Sequence, residues 1–391
     1  MSGIIVIGGG IAGSAAALAL HKAGFEVTVH EAHPVSGADI GAFLTLASNG
    51  MRALAQFDAA EAVAAEGFEL TWMNVLDAEG AELASVPLGD VEHPLTRFRC
   101  LRRAELAAAL QRELSRRGIA IRHGARLVGV DDTDDGVTAR FTDGTSAQGE
   151  LLVAADGLRS VVRSSLTPDT QPDYAGQAVF YGYTTEARPP HADGRITMVR
   201  GSGTAFGYAV SPAGETYWFA RVPGPALTAE EIGGTKPAEW RERLLPLLRP
   251  DRTPTADIVA ATTESLMATN AMHLTPGLPW RGRRTVLIGD AAHAASPATG
   301  QGASMALEDA VVLAKALRDS ASADAALDAY EAHRRPRAEQ NVTNSARLTA
   351  SRTTAVSPDT TRRQGPSTRV DEDVQRTLDW NTTLPAAPSE N

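Results

Sequence analysis

The stretch Ile4-Ile5-Val6-Ile7-Gly8-Gly9-Gly10-Ile11-Ala12-Gly13 decides how this chain begins to fold. Four branched apolar residues in a row, stopped by glycines, read as a short strand buried on both faces. The Ala/Leu-rich run over 11–23 then predicts a helix, with Gly24 where a C-terminal cap belongs, and 25–31 predicts a second strand. One βαβ unit therefore fills the first thirty residues, and the handedness rule makes its strands parallel neighbours. Within it stands Gly8-x-Gly10-x-x-Gly13. Gly8 allows the tight turn, Gly10 lets backbone approach a pyrophosphate, and Gly13 lets helix pack closely on strand, with the helix amides facing the phosphates. Glu31 ends the second strand, eighteen residues after Gly13, where a carboxylate can accept hydrogen bonds from ribose hydroxyls. This unit predicts dinucleotide binding and leaves FAD and NAD(P) both open.

Composition narrows the class of protein. A chain of 391 residues that is 43% hydrophobic can build two domains with real cores. The net charge of −10 lacks the basic footprint of a nucleic-acid binder and argues against an anionic membrane surface. The single cysteine, Cys100, forbids an internal disulfide and fits a reducing compartment; it reads as a small buried apolar residue. The nine histidines show no ligand spacing, so no metal site is expected. The apolar run 4–20 holds four glycines and has no basic segment before it, so it reads neither as a signal nor as a membrane span. A cytoplasmic protein without nucleic-acid or membrane partners, monomeric or homodimeric, is expected.

Further along, helices are predicted over 47–56 and 104–117, and strands over 120–122, 137–141 and 151–155 that rejoin the first domain. From 175 to 272 the texture changes to alternating runs, at 179–185, 195–200, 206–210 and 216–222, separated by Gly/Pro/Ser turns. That pattern predicts an antiparallel sheet forming a second layer, and five of the six tyrosines lie between Tyr174 and Trp218. Strand texture of the first kind returns at 285–288, followed by long helices over 300–317 and 323–348. The Ser/Thr/Pro/Arg-rich residues 351–391 read as a partly ordered tail with a short helix near 370–380. The basic groups Arg334-Arg335-Pro-Arg337 and Arg362-Arg363 read as solvated surface. The domain reading is thus 1–72, 97–173 and 276–350 for the nucleotide-binding unit and 73–96 with 174–275 for the sheet unit.

Two more segments carry chemistry. The strand 285–288 runs into Gly289-Asp290, then His293, Pro297 and Gly300-Gln301-Gly302-Ala303 opening a helix. An aspartate at a strand end can bind sugar or ribityl hydroxyls, and the amides of a helix N-terminus suit an anionic ring edge. His293 reads as structural. The second segment, Ala155-Asp156-Gly157-x-Arg159-Ser160-x-x-Arg163, reads by itself as a turn with a capping aspartate.

In this order and spacing, the three segments resemble the class A flavin monooxygenases, the family of para-hydroxybenzoate and salicylate hydroxylases, over roughly residues 3–350. The resemblance implies an α/β fold, in which a Rossmann-like FAD-binding domain is interleaved with an antiparallel-sheet substrate domain and followed by C-terminal helices. It assigns FAD contacts to Gly8, Gly10, Gly13, Glu31, Leu127, Gly289, Gln301, Gly302 and Ala303. Arg103, in Arg-x-x-Leu at a helix head, resembles the arginine that reaches FAD from the opposite side, with Arg102 as its rival. Asp290 resembles the ribityl or pyrophosphate-side contact, Pro297 and Gly300 the residues lining the isoalloxazine, and Asp156 the aspartate implicated in both FAD and NAD(P)H binding. Ser304 stands where many members carry asparagine, a departure that touches fine flavin positioning.

The implied activity is NAD(P)H- and O2-dependent hydroxylation of an aromatic or polycyclic phenolic compound through a flavin C4a-hydroperoxide. NADPH is preferred as a reductant that binds transiently, for no second strand–GxGxxG–helix unit exists, and the flavin rather than a protein acid or base carries the chemistry. A flavin-dependent epoxidase or Baeyer–Villiger enzyme, or an FAD-dependent reductase of the same fold, is the alternative. A halogenase lacks support, since no Trp-x-Trp pair occurs. Met198, Phe206, Tyr208 and Trp218 are the candidate substrate contacts, and Arg195 and Arg200 the candidate partners of a carboxylate or phenolate, against a reading as solvated sheet-edge residues. The Arg-over-Lys, Ala-rich composition suggests a tailoring role in secondary metabolism.

Overall fold

The glycine turn is built as its sequence requires. In a computed structural model describing residues 3–35, 42–89, 93–350 and 368–384, Ile4–Ile7 is a strand and Ile11–Lys22 a helix. Gly8 lies at φ +99°, and a Cβ there would sit 2.4 Å from the Ala155 carbonyl oxygen. A Cβ on Gly13 would come within 1.9 Å of the Gly8 carbonyl oxygen, so helix and strand approach as closely as backbone allows. The strand pairs in parallel with Val27–Glu31 on one side and Leu151–Ala154 on the other. The outer strands Ala120–His123 and Thr285–Leu287 complete a five-stranded sheet. Ile4–Ile7, Leu151–Ala154 and Thr285–Leu287 are buried throughout, because helices cover one face and an antiparallel sheet within 127–149 covers the other.

The second layer is a seven-stranded sheet. Its strands run Leu266–His273, Asp173–Thr184, Thr216–Pro223, Ala205–Val210, Arg195–Arg200, Trp72–Leu76 and Glu82–Pro87 across the sheet. One neighbouring pair, Arg195–Arg200 with Trp72–Leu76, is parallel; the others are antiparallel. One face rests on the helices Pro237–Leu248 and Thr255–Ala260, where Phe180, Phe206, Trp218 and Trp240 pack together. The other face carries Tyr181, Tyr183, Ile196, Met198, Tyr217 and Phe219 and packs on Phe43 and Phe68. A small sheet formed by Phe43–Leu46, Phe98–Arg102 and Phe68–Leu70 supplies those two residues and buries Cys100.

The run at 137–141 packs into the core of the first domain as part of a second sheet: Leu127–Thr133, Gly136–Phe141 and Ser146–Gly149 form an antiparallel sheet, folded back at Gly136 and Gly144, which both hold positive φ. Arg334, Arg335 and Arg337 are not a solvated patch. Arg334 is 2% exposed and pairs with Glu308 and Asp309, Arg337 pairs with Glu308, and Arg335 bridges Glu331 and Glu339 while stacking on Trp280. The basic cluster is read wrongly because the carboxylates that bury Arg334 and Arg337 come from another helix, Gly302–Asp319. The tail carries the short helix expected near 370–380, at Thr368–Leu378, and it is anchored. The buried Lys315 ammonium donates to the carbonyls of Thr377 and Asp379, and Trp380 lies between Lys22 and Arg318. Arg362-Arg363 falls outside the described residues.

Glu308 and Asp309 sit at zero exposure inside the long-helix pair Gly302–Asp319 and Ala323–Ala350. Burial alone would raise both carboxyls; Arg334 with Arg337 outweighs it at Glu308, and His293 with Arg334 at Asp309, so both fall below the ordinary range. Their contribution to stability is therefore complete above about pH 4 and is lost as pH falls through the acid range. Removing one member of a buried cluster strands its partners. Arg334→Met should cost about 3–5 kcal/mol in urea unfolding followed by tryptophan fluorescence. Removing Arg283, whose pairing with Asp134 is exposed, should leave the midpoint unmoved.

Candidate functional site

Parallel strands bring their carboxyl ends to one edge, and there all three motifs meet. Ile7, Ala154 and Leu287 are the last residues of adjacent strands, and Ile288 N–H donates to the Ala154 carbonyl. Beyond them lie Gly8–Gly10, Asp156-Gly157 and Gly289-Asp290. The edge of such a sheet, outside the strand ends, is the ligand crevice of doubly wound folds.

The glycine turn is held from within. Its Gly9 carbonyl accepts hydrogen bonds from Gln111 Nε2 at 2.6 Å and Ser14 Oγ at 2.9 Å. The Gly9 N–H donates to Glu31 Oε2 at 2.5 Å, and His33 N–H to Glu31 Oε1 at 2.7 Å, which fixes the carboxylate beside the turn. Leu127 starts its strand close by, buried against the core, while Ala125 N–H donates to the Glu31 carbonyl. A Cβ on Gly10 would meet nothing within 4 Å, unlike Gly8 and Gly13. Gly10 therefore presents bare backbone to open space, where a pyrophosphate fits against the helix N-terminus.

Asp156 caps the short helix Val161–Leu166 by accepting from the amides of Val161 and Val162 through Oδ2. Its Oδ1 is buried and has no hydrogen-bond partner. Burial raises this carboxyl, against hydrogen bonds from Ser160, Val162 and Val161. Arg163 joins two motifs: its buried guanidinium donates to the carbonyls of Leu158 and, at 2.9 Å, Ala291.

The third motif is set by Asp309, which accepts from Gly289 N–H at 2.9 Å and from His293 Nε2 at 2.6 Å. His293 is thus structural, held under Trp280. Gly289 at φ +57° turns the chain so that Asp290 starts a single helical turn with its side chain 40% exposed. Across the cleft, Arg103 at the head of Arg103–Arg116 brings Nη2 to 3.8 Å from Asp290 Oδ2. Arg102 points elsewhere, pairing with Glu215 and stacking over Tyr183 and Tyr217. Pro297–Thr299 is a single tight turn, and Gly300 follows at φ +65° beside Thr45. Asn49 Nδ2 holds the Gln301 carboxamide at 3.2 Å, and a Cβ on Gly302 would enter open space. Ala303 is the next residue of the Gly302–Asp319 helix. Ser304 faces away from that space, buried, with Oγ accepting from Ala47 N–H.

The proposed substrate contacts divide by strand parity. Met198 lies on the cleft-side face with Tyr181, Tyr217 and Phe219. Phe206, Tyr208 and Trp218 do not: they lie on the helix-covered face. Phe206 stacks on Trp218, whose Nε1 donates to Thr262 Oγ1, while Tyr208 Oη donates to the Pro190 carbonyl. Both faces are aromatic and covered, so alternation shows which residues share a face but not which face meets the cleft. Reading Thr216–Pro223 at period two would have grouped Tyr217, Phe219 and Arg221. Gln111 left no comparable signal, and Arg163 stood in the Asp-Gly segment without an assigned role. Arg195 binds Asn74 and covers Trp72 at the outer part of the sheet.

Among the described residues no group of His, Cys, Asp and Glu is arranged to hold a metal, and no helix is long and apolar enough to cross a membrane. The family model described as FAD binding domain matches residues 1–345. The aurachin C monooxygenase/isomerase of Stigmatella aurantiaca is 33% identical over 350 residues, 88% of each chain. An FAD-dependent urate hydroxylase of Klebsiella pneumoniae is 33% identical over 84% of this chain and 85% of its own. The crystal structure of Klebsiella pneumoniae HpxO complexed with FAD and uric acid superposes with a TM-score of 0.79, at 28% identity, over 98% of this chain and 93% of that one. Likeness of this extent, spanning the glycine turn, the cleft and the aromatic sheet alike, makes the chain a member of the FAD-dependent aromatic monooxygenase family.

Proposed function

We propose that this protein uses NADPH and O2 to hydroxylate an aromatic or polycyclic phenolic small molecule with FAD as its cofactor. The observation that carries the reading is the junction of two surfaces. The cleft with Arg103 and Asp290 opens beside a sheet face of Tyr181, Met198, Tyr217 and Phe219. Its residues suit FAD: bare backbone at Gly10, a fixed carboxylate at Glu31, an arginine–aspartate pair across the cleft, and an open helix N-terminus at Gly302. Bound there, FAD supplies the redox chemistry, accepting hydride from NADPH and activating O2.

The protein's own part is binding, orientation and exclusion of water. Glu31 would accept from ribose hydroxyls, Gly10 would let the pyrophosphate approach, and Arg103 and Asp290 would exchange their mutual contact for contacts with the cofactor. The buried Asp156 Oδ1 is an unfilled acceptor at the same cleft edge. Amides at the head of Gly302–Asp319 would stabilise negative charge on the ring edge. The aromatic face would stack a planar substrate and keep water from the reacting atoms.

The FAD-loaded protein should oxidise NADPH slowly alone and faster with a suitable phenol, whose product takes one atom from 18O2. Substrate consumption without label would instead favour the reductase reading. Asp290→Ala and Gly10→Val should give folded protein that purifies largely without the yellow absorbance of flavin. Asp290→Ala removes a polar contact, whereas a branched side chain at Gly10 fills the open space beside the turn. Full flavin content in either variant would remove that residue from the site.

A further inference from the structure

The cleft-side sheet face carries a cation, Arg221, for which the described residues provide no counter-ion. Arg221 shares its face with Tyr217 and Phe219 on Thr216–Pro223, opposite Val179 on one neighbouring strand and the small Ala205 on the other. Its Nε is fully buried without a hydrogen-bond partner, and no hydrogen bond or ion pair engages its guanidinium among the described residues. Burial lowers its pKa, and Tyr181 alone opposes that loss. Tyr181 also feels Arg103, which ties the pair to the cleft, and burial pushes its phenol to about 12, keeping it a neutral hydrogen-bond donor. Arg221 as a whole is partly buried, and the more deeply buried arginines among the described residues are all paid in contacts. Arg334 has Glu308 and Asp309, Arg163 has two carbonyls, and Arg99 has Glu69.

Closing a guanidinium Nε off from water without a partner costs stability, and a ligand that reaches the group would offset that cost. A guanidinium offers a planar fork of donors suited to a carboxylate or an ionised phenol or enol. Resting on the aromatic hydroxylase reading above, we infer that Arg221, assisted by Tyr181 Oη, is the specificity determinant for an aromatic substrate bearing an anionic oxygen. The aromatic ring would lie along Tyr217 and Phe219, with its anionic group at the Arg221 end of that strand.

Probe binding to the FAD-loaded protein, followed by perturbation of the flavin absorbance, tests this without the natural substrate. The probes are benzoate, 4-hydroxybenzoate and 2-naphthoate, each against its primary amide, and 4-nitrophenolate against 4-nitroanisole. Wild type should bind at least one anion about tenfold or more tightly than its neutral counterpart. Arg221→Gln should erase that preference, and Arg221→Lys should keep part of it. Preference within the carboxylate pairs or the phenolate pair identifies which oxyanion the site takes. The thermal midpoint of Arg221→Gln should equal or exceed that of wild type, since a partly buried charge without a protein partner is removed; a fall of several degrees would mark a structural arginine and overturn the inference. Absence of any preference in wild type, or its survival in Arg221→Gln, would overturn it too. Because these readouts require neither NADPH nor O2, anion selectivity without 18O incorporation would sink the monooxygenase reading and leave the site standing.

Discussion

Asp309 has no water around it, and three donors converge on its carboxylate: the Gly289 amide, the His293 imidazole and the Arg334 guanidinium. In a low-dielectric interior these hydrogen bonds are strong and directional, and losing one strands a charge. The carboxylate therefore fixes where the strand Thr285–Leu287 ends, how the chain turns at Gly289, and where Asp290 emerges. Glu308, its neighbour on the same helix, binds Arg337 and Asn49, and Asn49 in turn reaches Gln301. One pair of adjacent acids thus positions both ends of the segment that borders the cleft.

The remaining motifs are tied to that anchor by contacts of the same kind. Arg163 carries the Asp-Gly segment to Ala291, while the Gly13–Gly8 approach locks the first helix to the first strand. The cleft is left as the place where these constraints stop: Gly10, Gly157 and Gly302 face open space, and the contact between Arg103 and Asp290 is long and exposed. Rigid surroundings with bare backbone at the centre suit a large, flat, multiply charged cofactor, whose binding demands little rearrangement of the protein.

The seven-stranded sheet divides labour between its faces. The helix-covered face, with Phe206, Trp218 and Trp240, is ordinary core. The cleft-side face holds aromatics of similar bulk, yet mixes them with Arg102 and Arg221 and with phenols that burial keeps protonated. Apolar area gives such a surface affinity for rings, and its few polar groups give orientation. Arg102 meets its needs inside the protein through Glu215 and two tyrosine rings, whereas Arg221 does not.

By itself the sequence determined the parts whose reasons are local. Gly8 needs positive φ, Gly13 sits where no Cβ fits, and four branched residues before a glycine turn make a doubly buried strand. Dinucleotide binding and the places of Glu31 and Asp290 at strand ends were legible for the same reason, whereas FAD as the cofactor and Arg103 came from the resemblance of the three segments to a known family. Tertiary structure alone decided the rest. Alternation put Tyr217 and Arg221 together but could not say that their face, and not that of Phe206, Tyr208 and Trp218, would meet the cleft. Nor could a run of arginines at 334–337 reveal buried carboxylate partners on another helix. Both depend on which surfaces pack against each other across long sequence separations. Burial and pairing of that kind are properties of the assembled fold, with no trace in local spacing.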